Sequence, residues 1–221
     1  MIRSVAFRST YAPKLTARPR RSDHRPRFWI VSRLVVLTVA LPVAVISLRH
    51  LDLFNPVIEP YERKLYVHWI DADGDCQDTR QEVLIRDSLV RPQLSRDGCR
   101  VLAGRWIDPY TGRTLTDPRD VDIDHLVPLA EAHRSGADGW SHDLRLAYAN
   151  DLSSPLTLVA VSARVNRAKA DNDPLTWLPF DPGRWCAYTG AWKAVKARWG
   201  LRQDTPERWW TDALTWVCGQ G

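Results

Sequence analysis

Two stretches of this 221-residue chain hold residues whose types and spacing could do chemistry together. The first is Asp122-Ile123-Asp124-His125-Leu126-Val127-Pro128. The second, further along, is Asn166-Arg167-Ala168-Lys169-Ala170-Asp171-Asn172-Asp173-Pro174. An acid beside an imidazole, followed by an Asn-x-x-Lys pair, matches the needs of phosphodiester hydrolysis with one divalent ion. That reaction must deprotonate a water, place it in line, and stabilise charge on the non-bridging and departing oxygens. A neutral histidine is the natural base near neutral pH, which assigns water activation to His125. A hard cation takes oxygen ligands and keeps several waters. Asp124 and the amide oxygen of Asn166 supply two such ligands, with Mg2+ expected first and Mn2+ or another divalent ion as the alternative. Nothing asks for an organic cofactor.

These residues need elements to position them. Val121 to Val127 reads as a strand that presents Asp124 and His125 near its end, where Pro128 stops the ladder. Leu156 to Val161 is the clearest strand in the chain, and Ser162 then caps a helix on which Asn166 and Lys169, three apart, share a face. Upstream, Leu65 to Ile70 reads as a short strand and Asp71 to Asp78 as a loop dense in turn formers. Asp71, Asp73 and Asp75 resemble the front of a calcium loop, but Gly74 falls too early for one, so the stretch reads as an acidic turn feeding a helix, with calcium binding as the alternative. A helix over Thr79 to Leu89 follows, then a strand over Cys99 to Trp106 and a turn at Asp108-Pro109-Tyr110-Thr111-Gly112. Short helices are expected over Ala130 to His133 and Ser141 to Asn150, and amphipathic ones over Thr189 to Trp199 and Pro206 to Trp216. The fold class is α+β, and the tryptophans of the C-terminal third read mainly as packing residues.

Strand, connection, strand and helix, with Asp-His on the first strand and Asn on the helix, resembles the ββα-metal core of HNH endonucleases. In particular the chain resembles the extracellular family related to the C-terminal domain of GmrSD-type restriction enzymes. The resemblance runs through Asp122 to Pro128, Ala149-Asn150-Asp151, and Val165 to Pro174 leading into Trp177-Leu178-Pro179. It extends to Asp73 to Cys76, Thr79 to Leu84 and Gly104 to Gly112. It implies a metal-dependent endonuclease leaving 5′-phosphate and 3′-hydroxyl ends, with DNA the preferred partner. It further implies that Asn150 orients His125 through nearby backbone and that Lys169 faces phosphate as a point charge, as would Arg164 or Arg167. Arg80 is either half of a helix-surface pair with Glu82 or a substrate-side group. The third letter of the motif is Asn166 here, where many members carry histidine; an oxygen ligand is kept.

Net charge is a poor guide to partners. The whole chain is +5, yet residues 1–50 carry ten basic residues and one acid, and the remaining 21 basic residues face 25 acids, a net of −4. The basicity that bears on phosphate binding is local: residues 160–202 hold eight basic residues against three acids. The N-terminal excess precedes an uncharged apolar run, Leu34 to Leu48, which as a helix spans about 22 Å against a hydrocarbon core of about 30 Å. The expected organisation is a basic cytoplasmic segment (1–33), a signal-anchor or signal-peptide segment (34–50), a linker (51–64) and an HNH nuclease domain (65–221). The positive-inside rule puts the N-terminus inside and the domain outside, anchored to the membrane or secreted after cleavage.

All four cysteines follow the apolar run, as expected of a disulfide-stapled ectodomain. Four allow three pairings, and the sequence-local choice is Cys76 with Cys99 and Cys186 with Cys218. Zinc is the rival use, but no Cys-x-x-Cys occurs. With no separate reader domain, cleavage of low sequence specificity is expected. The alternatives are a catalytically idle, membrane-anchored nucleic-acid or envelope-binding module, and a Trp-rich glycan-binding protein.

Overall fold

The structure is a computed structural model, and it describes residues 60–219. The expected cytoplasmic segment, apolar segment and first part of the linker lie outside the described residues. Within them the chain is α+β, with three small two-stranded antiparallel sheets, six α-helices and two disulfides. Among the described residues no helix is long and apolar enough to cross a membrane.

The first departure from expectation is at the entry. Residues 65–70 form no strand; a single 3-10 turn covers Arg63–Leu65 and irregular backbone follows. Tyr66 is fully buried, while Asn150 clamps the segment by donating to the Val67 carbonyl and accepting from the Ile70 amide. Side-chain hydrogen bonds do there what a strand ladder would have done. Trp69 consequently holds φ at +62°, a region that non-glycine residues seldom occupy. Tyr61, which falls in the expected linker, packs on the core.

Helix α1 (Thr79–Asp87) starts where the sequence predicts, because Asp78 accepts a hydrogen bond from the Gln81 amide. Its buried Val83 and Leu84 join an apolar cluster with Trp106, Val121, Ile123, Leu158 and Ala160. The strand expected over 99–106 is two short ones. β1 (Gln93–Leu94) pairs with β2 (Val101–Ala103), and β3 (Trp106–Ile107) pairs with β4 (Thr114–Leu115). The break falls at Gly104, where any Cβ would lie 2.5 Å from the Trp106 ring. That ring is fully buried and donates to the Leu84 carbonyl at 2.8 Å.

The central pair is β5 (Val121–His125) against β6 (Leu158–Ser162), antiparallel from Val121↔Ser162 to His125↔Leu158. Between them run α2 (Leu129–Arg134) and α3 (His142–Ala149), the latter capped by Ser141. Helix α4 (Ala163–Lys169) follows β6 directly; Ser162 sits at its cap position without making the expected side-chain cap bond. Alternation along β5 turns Val121 and Ile123 into the apolar cluster and Asp122 and Asp124 toward α4.

Two longer helices complete the domain. α5 (Trp185–Trp199) begins a turn earlier than expected, and α6 (Thr205–Cys218) is capped by Asp204. Cys76–Cys99 ties the acidic turn to the β1–β2 hairpin, and Cys186–Cys218 joins α5 to α6. Both pairings are the sequence-local ones; closing loops with separations of 23 and 32 residues, each is worth about 3–4 kcal/mol in the chain-entropy picture. Trp192 is buried as a packing residue, but Trp209 and Trp216 are 70% and 68% exposed on α6.

Under α5 lies a charged cluster that generates a pH prediction. Lys196 is buried against Glu131 at 2.9 Å and Glu207 at 2.6 Å, and carboxylate oxygens of Glu131, Asp173 and Glu207 lie within 4.8 Å of one another. Burial pushes the Glu207 carboxyl up to about 7, with Lys196 opposing and Glu131 adding to the rise. A carboxyl raised in the folded state binds a proton that the unfolded chain releases near pH ~4.3. Its stabilising contribution is present below that pH and is lost as pH rises through about 7. Across this window Glu207→Gln should therefore gain in melting temperature relative to wild type as pH rises, because the variant lacks the contribution that wild type loses. Thermal scans at stepped pH check this; identical slopes for wild type and variant would refute it.

Candidate functional site

The end of β5, the start of α2 and α4 enclose a cleft of about 370 Å³. Asp124 and His125, adjacent on β5, and the distant Asn166 all line it, together with Tyr61, Arg63, Pro128 and Asp171. Three of the expected site residues are thus brought to one place.

His125 is buried, its ring stacked on Trp69 with centroids 5.8 Å apart and tilted against Tyr148 at 6.0 Å. Burial pushes its pKa down to about 3, so the imidazole is neutral across the physiological range. Its Nε2 lies 2.9 Å from the Ala149 carbonyl. A carbonyl only accepts, so Nε2 carries the proton and Nδ1 keeps the lone pair, the form a base requires. Asn150 follows in sequence. Its side-chain oxygen accepts from Thr79 Oγ1 at 2.9 Å, and its amide donates to the Leu146 and Val67 carbonyls. It therefore fixes the end of α3, and with it the carbonyl that holds His125.

Lys169 is where the expectation fails. It is fully buried beneath the cleft, with Nζ 2.9 Å from the Asp124 carboxylate and 3.1 Å from the His125 carbonyl. It cannot meet a phosphate as a surface charge. Tyr110 donates to the same carboxylate at 2.7 Å. Burial raises the Asp124 pKa against the pull of Lys169 and Tyr110, and lowers that of Lys169 against the pull of Asp124. The spacing that put Asn166 and Lys169 on one face was sound, but that face packs on β5.

Asn166 donates to Asp122 Oδ2 at 3.2 Å through its amide nitrogen, so the amide oxygen is left as an acceptor. Asp124 and Asn166, both lining the cleft, offer oxygen donors, which in chemistry fit a hard divalent ion that retains water. Lys169 satisfies part of Asp124's acceptor capacity, and each carboxylate oxygen has lone pairs to spare.

The arginines are placed differently from expectation. Arg80 is half-buried and donates to the carbonyls of Pro118 and Val121, at the opposite end of β5 from His125. It organises the strand's entry and does not line the cleft. Arg164 and Arg167 are exposed on α4 and do not line the cleft either. Sequence reasoning missed Arg63 and Tyr61, which lay in a stretch without motif, and the service of Tyr110 to Asp124. The signal for Tyr110 was its place in the Asp108–Gly112 block; Asp108, fully buried, fixes that turn by accepting from the Tyr110 amide and the Thr111 hydroxyl. In the acidic turn Asp71, Asp73 and Asp75 accept backbone amides of Gly74, Cys76, Asp75 and Gln77.

The chain is 42% identical over 149 residues to an uncharacterized secreted protein of Arthroderma benhamiae, covering 67% of this chain and 71% of that protein. No family model matches, and no solved structure matches. With both disulfides formed and a secreted relative, the folded domain is extracytoplasmic.

The buried pair makes a separable prediction about stability. Removing one partner of a buried ion pair strands the other and costs about 3–5 kcal/mol. Lys169→Ala should therefore lower the stability of the domain by about that amount, as read by urea denaturation. A variant as stable as wild type would show that Lys169 is not seated on Asp124.

Proposed function

The chain belongs to the same family as the secreted Arthroderma benhamiae protein, and from the geometry of the cleft we propose that it is a metal-dependent endonuclease acting outside the cytoplasm. In this reading β5, β6 and α4 form an HNH-type ββα core, and the substrate is DNA cut with little sequence specificity. The observation that carries it is the convergence of Asp124, Asn166 and a neutral, carbonyl-anchored His125 on one cleft.

The chain's residues divide the work. His125 Nδ1 accepts the proton of the attacking water while Ala149 holds the ring against rotation. Asn150 keeps that carbonyl in place, acting on the histidine through the backbone. Asp124 and Asn166 would hold a divalent ion, Mg2+ or Mn2+, which when bound supplies charge stabilisation to the phosphate and the departing oxygen. Lys169 and Tyr110 hold the Asp124 carboxylate in one orientation from below. The basic front and apolar run at the N-terminus support export, with residues 34–50 as an uncleaved anchor or a removable signal.

One observation favours the rival reading of an idle nucleic-acid or envelope-binding module: Lys169 already neutralises Asp124. Plasmid nicking by the full-length chain separates the two. Wild type should nick in Mg2+ or Mn2+. His125→Ala should slow the reaction by about 10²- to 10⁴-fold, and Asp124→Ala and Asn166→Ala should abolish the metal-dependent part. A wild type inert with every divalent ion, or a His125→Ala protein at full rate, would sink the enzyme.

A further inference from the structure

The charges around the cleft are unevenly compensated. Asp124 is neutralised by Lys169, and Asp171 by Arg134 at 2.9 Å. Arg63, on the 3-10 turn at the cleft's rim, is exposed and lines the same space. Its guanidinium lies 3.3 Å from His68 Nε2, and it sits close enough to the Tyr61 hydroxyl to oppose the rise that burial gives that group. Both neighbours are uncharged as acceptors. No carboxylate among the described residues forms an ion pair with Arg63.

His68 is itself fixed. Its Nδ1 lies 2.8 Å from the Tyr66 carbonyl and so carries the proton, leaving Nε2 as the acceptor that faces Arg63. Its ring packs edge-on against Trp69 at 5.1 Å and against His125 at 6.3 Å. Tyr61 is braced by Tyr66 and His133. The guanidinium is therefore held at the cleft beside His125 by two neutral groups that orient it without discharging it. That is the state a cation needs if its counter-charge is to come from a ligand, and a planar five-donor fork suits two oxygens of one phosphate.

We propose that Arg63 binds the scissile phosphate of the nucleic-acid strand, with His68 as the residue that positions it. The assignment rests on the phosphodiester reading of the site. It transfers the role of phosphate contact from Lys169, Arg164 and Arg167 to a residue outside every motif. Because Arg63 and His125 line the same cleft, the phosphate it holds is presented to the water that His125 would activate.

The test separates binding from turnover. A fluorescein-labelled single-stranded 12-mer deoxyoligonucleotide is titrated with the full-length chain in EDTA at stepped salt, and nicking kinetics are measured separately in Mg2+. Arg63→Ala should weaken binding about tenfold and reduce the slope of log K against log salt by about one. Arg63→Lys should restore the slope but only part of the affinity. His68→Ala should raise KM more than it lowers kcat, and His68→Gln, which keeps an acceptor, should recover most of the loss. Arg167→Ala should leave the binding slope unchanged. If wild type nicks and Arg63→Ala binds and nicks as wild type, the assignment fails and the nuclease stands. If wild type binds with an Arg63-dependent slope but never nicks, the nuclease fails and the phosphate contact stands. If the oligonucleotide does not bind at all, the phosphate contact is wrong.

Discussion

The ion pair between Lys169 and Asp124 holds the centre of this molecule together. Both groups are removed from water, which is costly for each alone, and the cost is offset by a charge-assisted bond to each other and by the Tyr110 hydroxyl and the His125 carbonyl. Three segments that are distant in sequence therefore meet at one carboxylate: the turn after β3, the end of β5 and the last turn of α4. The antiparallel pairing of β5 and β6 brings the segments near, but the buried charges fix the height of α4 over the sheet. Asn166 stands on the same helix, one turn earlier, so its reach into the cleft follows from where Lys169 is pinned.

The same burial that makes the pair expensive prepares the histidine. Trp69 and Tyr148 enclose the His125 ring, water is kept from it, and the imidazole stays uncharged. The enclosure depends on an irregular segment, 66–70, in which Asn150 bonds the Val67 carbonyl and the Ile70 amide and Trp69 adopts positive φ. Strain at that residue is sustained because Tyr66 is buried below it and Asn150 grips both sides of it. A single asparagine thus serves both the wall of the cleft and the carbonyl that sets the histidine tautomer.

Periphery and centre are stabilised by different means. Disulfides fasten the acidic turn and the C-terminal helices, and α5 also buries Tyr188, Trp192 and Val195 in the core. The C-terminal helices add a compensated cluster in which Lys196 answers Glu131 and Glu207. Their outer face leaves Trp209 and Trp216 largely in solvent, so a rich tryptophan content did not translate wholly into core.

The sequence by itself determined most of the local elements and three of the cleft's polar groups, Asp124, His125 and Asn166. Alternation put Asp122 and Asp124 on one face of β5, Asp78 started α1, the Asp108 turn formed, and the even cysteine count with its local spacing gave the observed bridges. Each of these depends on neighbours within a few residues, or on a loop short enough to close readily. Only the tertiary structure decided which charges were free. Lys169 and Arg80 carry the same positive charge as Arg63, yet the first two are consumed by a buried carboxylate and by backbone carbonyls, while Arg63 is held at the cleft by uncharged groups. Neutralisation requires a partner within a few ångströms and a shared environment that excludes water, and neither is set by spacing along a chain.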